Sequence, residues 1–261
     1  MKILLIIFTL SLALYCLFAL IMYITQRKQI YLPGPESDAP GYDSFLLPVD
    51  RTADGAEIRL KIWRLHPDCG PALVYFGGNA EEVSANCETF DRIFPALAVY
   101  LVNYRGYGGS GGNPTEKALC QDALTIFDHL TARHVKIAVV GRSLGSAIAI
   151  HLAAQRPVAR MLLVTPFASL TGVVRSHYFF LPVSWLLKDR YDNLAKIEAV
   201  SAPTTMIIAG NDEIVPRRES ELLQRAFSGK ECRMVIIPGA GHNDLDLHPL
   251  YRQTLAGFAS G

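Results

Sequence analysis

The stretch Val139-Val-Gly-Arg-Ser-Leu-Gly-Ser-Ala-Ile-Ala-Ile150 places Ser143 between Gly141 and Gly145. A short apolar run precedes it, and an alanine-rich segment of helical character follows it. A serine at such a strand-to-helix turn is forced into a strained conformation with its hydroxyl exposed, and small neighbours let strand and helix approach closely. The same position is the N-terminus of a helix, where unpaired N–H groups can stabilise a developing negative charge. Taken alone, Gly-x-Ser-x-Gly can equally be a plain turn.

Outward from this turn the chain has a regular texture. The runs "ALVYF", "LAVYLVNY", "KIAVV", "RMLLVT", "TTMIIAG" and "RMVIIPG" are short, continuous and apolar. Such runs suit strands buried on both faces of a parallel sheet. Between them, Leu119, Ala123, Ile126, Phe127 and Leu130 fall at helical spacing, as do Leu222, Leu223 and Phe227. Alternating strands and helices predict right-handed βαβ units in a doubly wound sheet. Upstream, Asp54-Gly55 is a turn signal. Ile58, Leu60 and Ile62 alternate with Arg59, Lys61 and Trp63, which predicts an antiparallel hairpin.

In such a sheet, ligands bind beyond the carboxyl ends of the strands. Ser143 is placed there, but a neutral serine needs a base, and the base an orienting acid. "MIIAGNDEIVP" ends one strand and presents Asp212, with Glu213 as neighbour and rival; Asp244 is a weaker candidate. "VIIPGAGHNDL" ends the next and presents His242. The other histidines have no comparable strand-end glycine setting. Asp212 could merely cap a turn and His242 merely sit on a loop, but three strand ends carry the three chemical types in the order Ser, Asp, His. In "VYFGGNAEEV", Gly77-Gly78-Asn79 follows an early strand. Its glycines let backbone approach a reacting carbonyl, so the N–H of Asn79, with that of Leu144, forms the candidate oxyanion hole, with the adjoining Gly78 as a candidate substrate contact; the alternative is a simple turn. The glycine-rich loop "NYRGYGGSGGNPTE" lacks Gly-Lys-Ser/Thr and is no phosphate loop. It is expected to shape the rim, with Tyr107 as a substrate contact, before a helix capped near Thr115.

The segment from Pro166 to Ser201 breaks the rhythm and is rich in aromatics. It is expected as a cap-like insertion (165–201) over Ser143. Phe167, Tyr178, Phe179 and Trp185 are its candidate substrate contacts; the alternative is that Tyr178, Phe179, Phe180, Leu181, Trp185, Leu186 and Leu187 form only a small packed cap core.

The N-terminus has a different character. No charged residue occurs from Ile3 to Thr25, which is long enough to cross a bilayer. A cleaved signal peptide would have a shorter apolar region and a small-x-small cleavage site; this run ends in Tyr23, Ile24, Thr25, Gln26, Arg27, Lys28. Tyr15 before Cys16 does not suit a lipoprotein signal. The expected organisation is a single-pass anchor (1–28), a linker (29–44) and one α/β domain (45–261). Flanking charges do not fix the side of the membrane on which the domain lies. Net charge is +1 and no Lys/Arg run stands out, so nothing points to nucleic acid. The five cysteines form no C-x-x-C or Cys/His cluster, so no zinc site is expected.

Several of these motifs occur together in a known family. "NYRGYGGSGGNPTE", "GRSLGS", "TPFASL", "GNDEIVP" and "GAGHNDL" resemble the Bem46/ABHD13/ABHD17-like branch of the α/β-hydrolase superfamily. The resemblance runs from about the hairpin to the C-terminus. It implies an α/β-hydrolase fold with Ser143 as nucleophile, Asp212 as acid, His242 as base, Asn79 and Leu144 as oxyanion donors, and no metal or organic cofactor. It implies acyl chemistry without fixing the substrate: some relatives cleave acyl thioesters from lipidated proteins, others act on lipids, and some are classed near serine aminopeptidases. There is one departure. Members commonly read His-Gly-Asn-Ala where this chain reads Gly77-Gly78-Asn79-Ala80. The expected activity is hydrolysis of an acyl ester or thioester, from a small molecule, a lipid or a lipidated protein. An amidase or peptidase, or a non-catalytic anchored binding module, are the alternatives.

Overall fold

A computed structural model of the chain describes residues 1–260; Gly261, the last residue of the expected domain, lies outside them. Eight strands form a single sheet in the order β1-β2-β4-β3-β5-β6-β7-β8. β1 (Asp43–Arg51) and β2 (Glu57–Leu65) form the antiparallel hairpin around Asp54-Gly55. β2 pairs antiparallel with β4 (Ala98–Val102). From there β3 (Ala72–Phe76), β5 (Ile137–Arg142), β6 (Arg160–Val164), β7 (Thr204–Ala209) and β8 (Cys232–Ile237) run parallel. This is the α/β-hydrolase fold.

The continuous apolar runs are explained by a core on each face. Successive strand residues point to opposite sides. Val74, Val139, Leu163 and Met206 face one cluster, and Leu73, Val140, Leu162 and Ile207 face the other. On the first face lie α3 (Glu116–Leu130), α4 (Leu144–Ala153) and α7 (Arg217–Ala226); on the second lie α2 (Cys87–Ile93) and α8 (Pro249–Ser260). Thr115 caps α3, its side chain accepting from the Ala118 N–H. Leu119, Ala123, Ile126, Phe127 and Leu130 are all buried on α3. On α7 the expected stripe is narrower. Leu223 is buried, as is Phe227 just beyond the helix, but Leu222 projects outward, because consecutive helical residues are 100° apart and only one can face the sheet. Trp63 alternates away from Ile62 as expected, yet it is buried, because the second core covers that face.

The insertion between β6 and β7 contains α5 (Leu170–His177), the short α6 (Val183–Leu186) and a 3-10 turn at Leu194–Ala199. The N-terminal helix α1 runs from Lys2 to Ile30, so the start of the expected linker is helical. The rest of that segment is not a free tether. Tyr31 is buried, its hydroxyl hydrogen-bonded to that of Tyr191, and the Leu32 N–H donates to the Asn79 carbonyl. The sequence shows Pro, Gly and acidic residues there; it does not show that they thread along the rim of the sheet.

Candidate active site

Ser143 leaves β5 and starts α4 with φ 50° and ψ −113°. A non-glycine residue at positive φ is held only where its surroundings over-determine it. Here Ser143 N–H donates to Val164 O at 2.8 Å, and Ser146 N–H returns to Ser143 O at 2.9 Å. The two flanking glycines are required by contact. A Cβ on Gly141 would overlap the Gly145 carbonyl, and one on Gly145 would overlap the Phe76 carbonyl. The β3 loop and α4 therefore meet backbone to backbone, with Gly145 N–H donating to Gly77 O at 3.1 Å.

β7 and β8 bring the other two groups to this point. Asp212 follows β7, and its Oδ1 accepts from the N–H groups of Ile214 and Val215 at 2.9 and 2.7 Å. His242 follows β8. Its Nδ1 lies 2.8 Å from Asp212 Oδ2, and its Nε2 lies 3.1 Å from Ser143 Oγ. Both the imidazole and the carboxylate are buried. With Nδ1–H donating to the carboxylate, Nε2 is left to accept from the serine hydroxyl. Glu213 points elsewhere and accepts from the His242 backbone N–H at 3.2 Å; Asp244 accepts from the Gly241 N–H at 2.7 Å. The rival carboxylates thus hold the histidine loop, and among the described residues only Asp212 meets the ring.

The N–H groups of Asn79 and Leu144 have no hydrogen-bond partner among the described residues, and both residues line the cavity that contains Ser143. Gly78 N–H is taken by Glu81 Oε2 at 2.7 Å, which removes it as a rival donor. The Asn79 peptide is fixed from behind, its carbonyl accepting from Tyr107 Oη at 2.7 Å and from Leu32 N–H at 3.1 Å.

Glu81 also explains the departure at Gly77. A Cβ there would lie 3.0 Å from Val83 Cγ1 and 3.2 Å from Glu81 Cδ, so Glu81 fills the space into which a larger residue would extend. It also accepts from Tyr75 Oη at 2.5 Å and sits 3.5 Å from the Arg142 guanidinium. Arg142 in turn donates to the His242 carbonyl at 3.3 Å. Burial opposes the charge on Arg142, but the acidic groups around it, Glu81 and Asp246 among them, outweigh it and hold its pKa above the ordinary value. The buried Tyr75 hydroxyl is kept neutral, mainly by desolvation and then by Glu81. This network ties the serine turn, the β3 loop and the histidine loop together, and the sequence motifs gave no sign of it.

The cavity beside Ser143 has a volume of roughly 230 Å³. Of the expected substrate contacts, Phe167 and Tyr178 line it. Tyr107, Phe179 and Trp185 do not. Tyr107 is buried behind Asn79, with its hydroxyl engaged there. Phe179 and Trp185 are 82% and 87% exposed. They project from the outer side of the cap, because Leu181, Val183 and Leu187 take up its inner side. Gly78 borders Ser143, with a Cβ position 3.9 Å from Ser143 Cβ, but is not part of the cavity wall. The unexpected wall is α1, which contributes Met22, Gln26, Gln29 and Ile30. Gln26 was the available signal, as a buried amide at the end of an apolar helix. Its Nε2 donates to Leu186 O at 3.1 Å, and its Oε1 accepts from Lys188 N–H at 2.7 Å.

Among the described residues no group of three or more His, Cys, Asp or Glu side chains is placed to hold a metal. The five cysteines are free. Burial pushes Cys87 and Cys120 up to about 12 and Cys232 to about 11, which leaves those thiols protonated and unreactive at neutral pH.

Known proteins resemble this chain in sequence and in fold. A family model described as "Serine aminopeptidase, S33" matches residues 71–195. The uncharacterized protein Rv2307c of Mycobacterium tuberculosis is 39% identical over 244 residues, covering 87% of this chain and 84% of that protein. Protein bem46 of Schizosaccharomyces pombe is 28% identical over 208 residues, covering 74% and 68%. Among solved structures, the Pyrococcus furiosus esterase Pf2001 superposes with a TM-score of 0.68 at 16% identity, covering 88% of this chain and 98% of that one. The chain belongs to the α/β-hydrolase superfamily, and it is similar over most of its length to members named bem46 and, at 26% identity over 253 residues, the human alpha/beta hydrolase domain-containing protein 17B.

Proposed function

We propose that this protein is a membrane-anchored serine hydrolase that cleaves carboxylic esters or thioesters of acyl, lipid-like substrates. Ser143 Oγ attacks the acyl carbonyl while His242 Nε2 takes its proton. Asp212 orients the ring and stabilises the imidazolium. The Asn79 and Leu144 N–H groups receive the oxyanion. The imidazolium then gives its proton to the leaving oxygen or sulfur as the carbonyl–heteroatom bond breaks. Water, deprotonated by His242, hydrolyses the acyl-enzyme and frees Ser143. The anchor is α1, uncharged from Ile3 to Thr25 and with a mean hydropathy of 2.7 in its most apolar window.

The observation that carries the reading is the company Ser143 keeps. One side of its hydroxyl faces His242, and the other opens on a cavity walled by Ile30, Leu144, Phe167, Leu170, Val173 and Leu187. Among the described residues no Asp or Glu lines that cavity. An aminopeptidase must bind a substrate ammonium beside the scissile bond, and an apolar wall without a carboxylate is unfavourable for that charge. The same wall favours an acyl chain, each buried methylene contributing about 0.8 kcal/mol, or roughly fourfold in specificity.

The test is kcat/KM for nitrophenyl esters from acetyl to decanoyl, with the matching anilides. Specificity should rise over the first several carbons, and the anilides should react far more slowly. A profile that peaks at acetyl, or faster cleavage of aminoacyl anilides, would overturn the acyl-ester reading.

A further inference from the structure

The cap is docked on the wrong part of α1 for a domain that merely hangs from a membrane tether. Tyr15 Oη donates to the Phe180 carbonyl at 2.9 Å, and the Phe18 and Phe180 rings lie 6.0 Å apart. Ala19 and Met22 pack against the cap cluster of Leu181, Val183 and Leu187. Gln26 clamps the backbone of Leu186 and Lys188. These positions follow one helical face, so the contact continues along about three turns of helix.

The charges at either end of the apolar window fix how deep that contact lies. The window between Lys2 and Arg27 covers positions 3–26. A bilayer core of ~30 Å occupies roughly 20 helical residues, so the span can slide by only about four positions. Positions 7–22 are inside the hydrocarbon wherever it sits. Tyr15, Phe18, Ala19 and Met22 are among them. The cap surface packed on those residues is therefore at hydrocarbon depth too.

Its outer chemistry matches that depth. Phe179, Phe180 and Trp185 are exposed at 82%, 48% and 87%. Nearer the domain, Arg27 and Lys28 occupy the last turn of the helix, Lys188 follows the cap helix, and the Arg190 guanidinium donates to the Ser184 and Leu187 carbonyls. Arg27 is held by Asp189, and Lys188 Nζ sits 4.1 Å over the Tyr23 ring. Aromatic side chains below and Lys/Arg above are what a bilayer interface selects.

The interior is arranged along the same axis. A second, smaller apolar cavity lies between α1 and the cap, bounded by Tyr23, Leu181, Val183 and Leu186. It shares Met22, Gln26, Val174, Tyr178 and Leu187 with the cavity at Ser143. The two follow one seam from the serine toward the part of the cap at hydrocarbon depth.

We propose that the cap segment Tyr178–Leu187 is immersed in the bilayer leaflet on the domain side, and that the α1–cap seam admits acyl chains to Ser143 directly from that leaflet. The substrate class is then a membrane-resident acyl ester or thioester whose chain never crosses water. This rests on the anchored hydrolase reading above and specifies where that site takes its substrate.

The sequence supplies a reporter. The chain has two tryptophans, Trp63, buried in the sheet core, and Trp185. The full-length protein carrying Trp63→Phe is placed in lipid nanodiscs with phosphatidylcholine brominated at defined acyl carbons. Trp185 emission is expected to be blue-shifted, at least halved by the brominated lipid, and insensitive to aqueous iodide. Emission typical of water, quenched by iodide and not by bromine, would overturn immersion. Should Trp63→Phe not fold, the difference between the native chain and Trp185→Phe gives the same reading. A second arm compares native protein with the Phe179→Ser/Trp185→Ser double variant. Hydrolysis of a soluble butyryl ester should stay within about twofold, and hydrolysis of a long-chain ester embedded in vesicles should fall at least tenfold. Equal loss on both substrates, or on neither, would overturn delivery from the leaflet. Labelling of Ser143 by a fluorophosphonate is read in parallel. An unlabelled Ser143 with quenched Trp185 defeats the hydrolase reading alone; a labelled Ser143 with unquenched Trp185 defeats immersion alone.

Discussion

At the serine turn, strand and helix meet through backbone; at the seam under the cap, α1 and the insertion meet through side chains. The first contact tolerates no added atom, since a single Cβ on Gly141 or Gly145 would overlap a main-chain carbonyl. The second is a row of mostly apolar side chains, pinned to the cap backbone by Tyr15 and Gln26, with space left between them. A reaction that needs its groups held to a fraction of an ångström is served by the first kind of contact. A binding wall that must accept a flexible chain is served by the second. On the proposed reading, chemistry and specificity in this molecule are built from different materials.

The sharpest way to break that division is at the serine. Ser143→Ala should reduce kcat by on the order of 10³-fold or more with the fold retained, as loss of one member of a triad generally does. Turnover near the native rate, measured on a nitrophenyl ester with circular dichroism as control, would remove Ser143 from the chemistry. Close in size should be Asp212→Asn. It leaves the ring contact but presents the wrong partner to Nδ1, and a loss of roughly 10³- to 10⁴-fold in kcat is expected. Glu213→Gln keeps an acceptor for the His242 N–H and should cost less than about tenfold. If the Glu213 variant is the more damaged, the wrong carboxylate has been assigned.

The seam is sharpened by substitutions that separate wall from ornament. Val174 borders both apolar cavities. Val174→Phe should shorten the seam, lowering kcat/KM for a decanoyl ester by roughly tenfold or more, since about two methylenes lose their contacts. The acetyl ester should be hardly affected. Trp185→Ala should leave the chain-length profile of soluble esters unchanged. If Trp185→Ala flattens that profile and Val174→Phe does not, the acyl wall is on the other side of the cap.

The smallest effect is on stability. The positive φ of Ser143 costs on the order of 1 kcal/mol that glycine would not incur. Ser143→Gly should therefore match Ser143→Ala in inactivity but melt a few degrees higher. A Tm for Ser143→Gly at or below that of Ser143→Ala would show that the turn is not strained.

The same contrast decides what could be read from the sequence. Strand-end motifs are local, so Ser143, Asp212, His242 and the loop carrying Asn79 were legible, as were the hairpin and the parallel sheet. Each depends on residues within a few positions of one another. The cap contacts were half legible. The cluster of aromatics in the insertion was visible, but which of them turn inward depends on Leu181, Val183 and Leu187 packing against α1. Tyr107 read as a rim contact, because a glycine-rich loop does not reveal that its hydroxyl holds the Asn79 carbonyl. Nor was α1 legible as part of the site. An apolar helix shows the same composition whether it faces lipid all round or lends one face to a domain, and only the buried Gln26 marks the difference.

The most direct measurement of the central claim is where a fluorophosphonate attaches to the full-length protein. Digestion and mass spectrometry should find one modified residue, Ser143, and the label should be lost in Asp212→Asn and unaffected by Glu213→Gln. Absence of label from folded native protein, or a label on any other serine, would contradict the account.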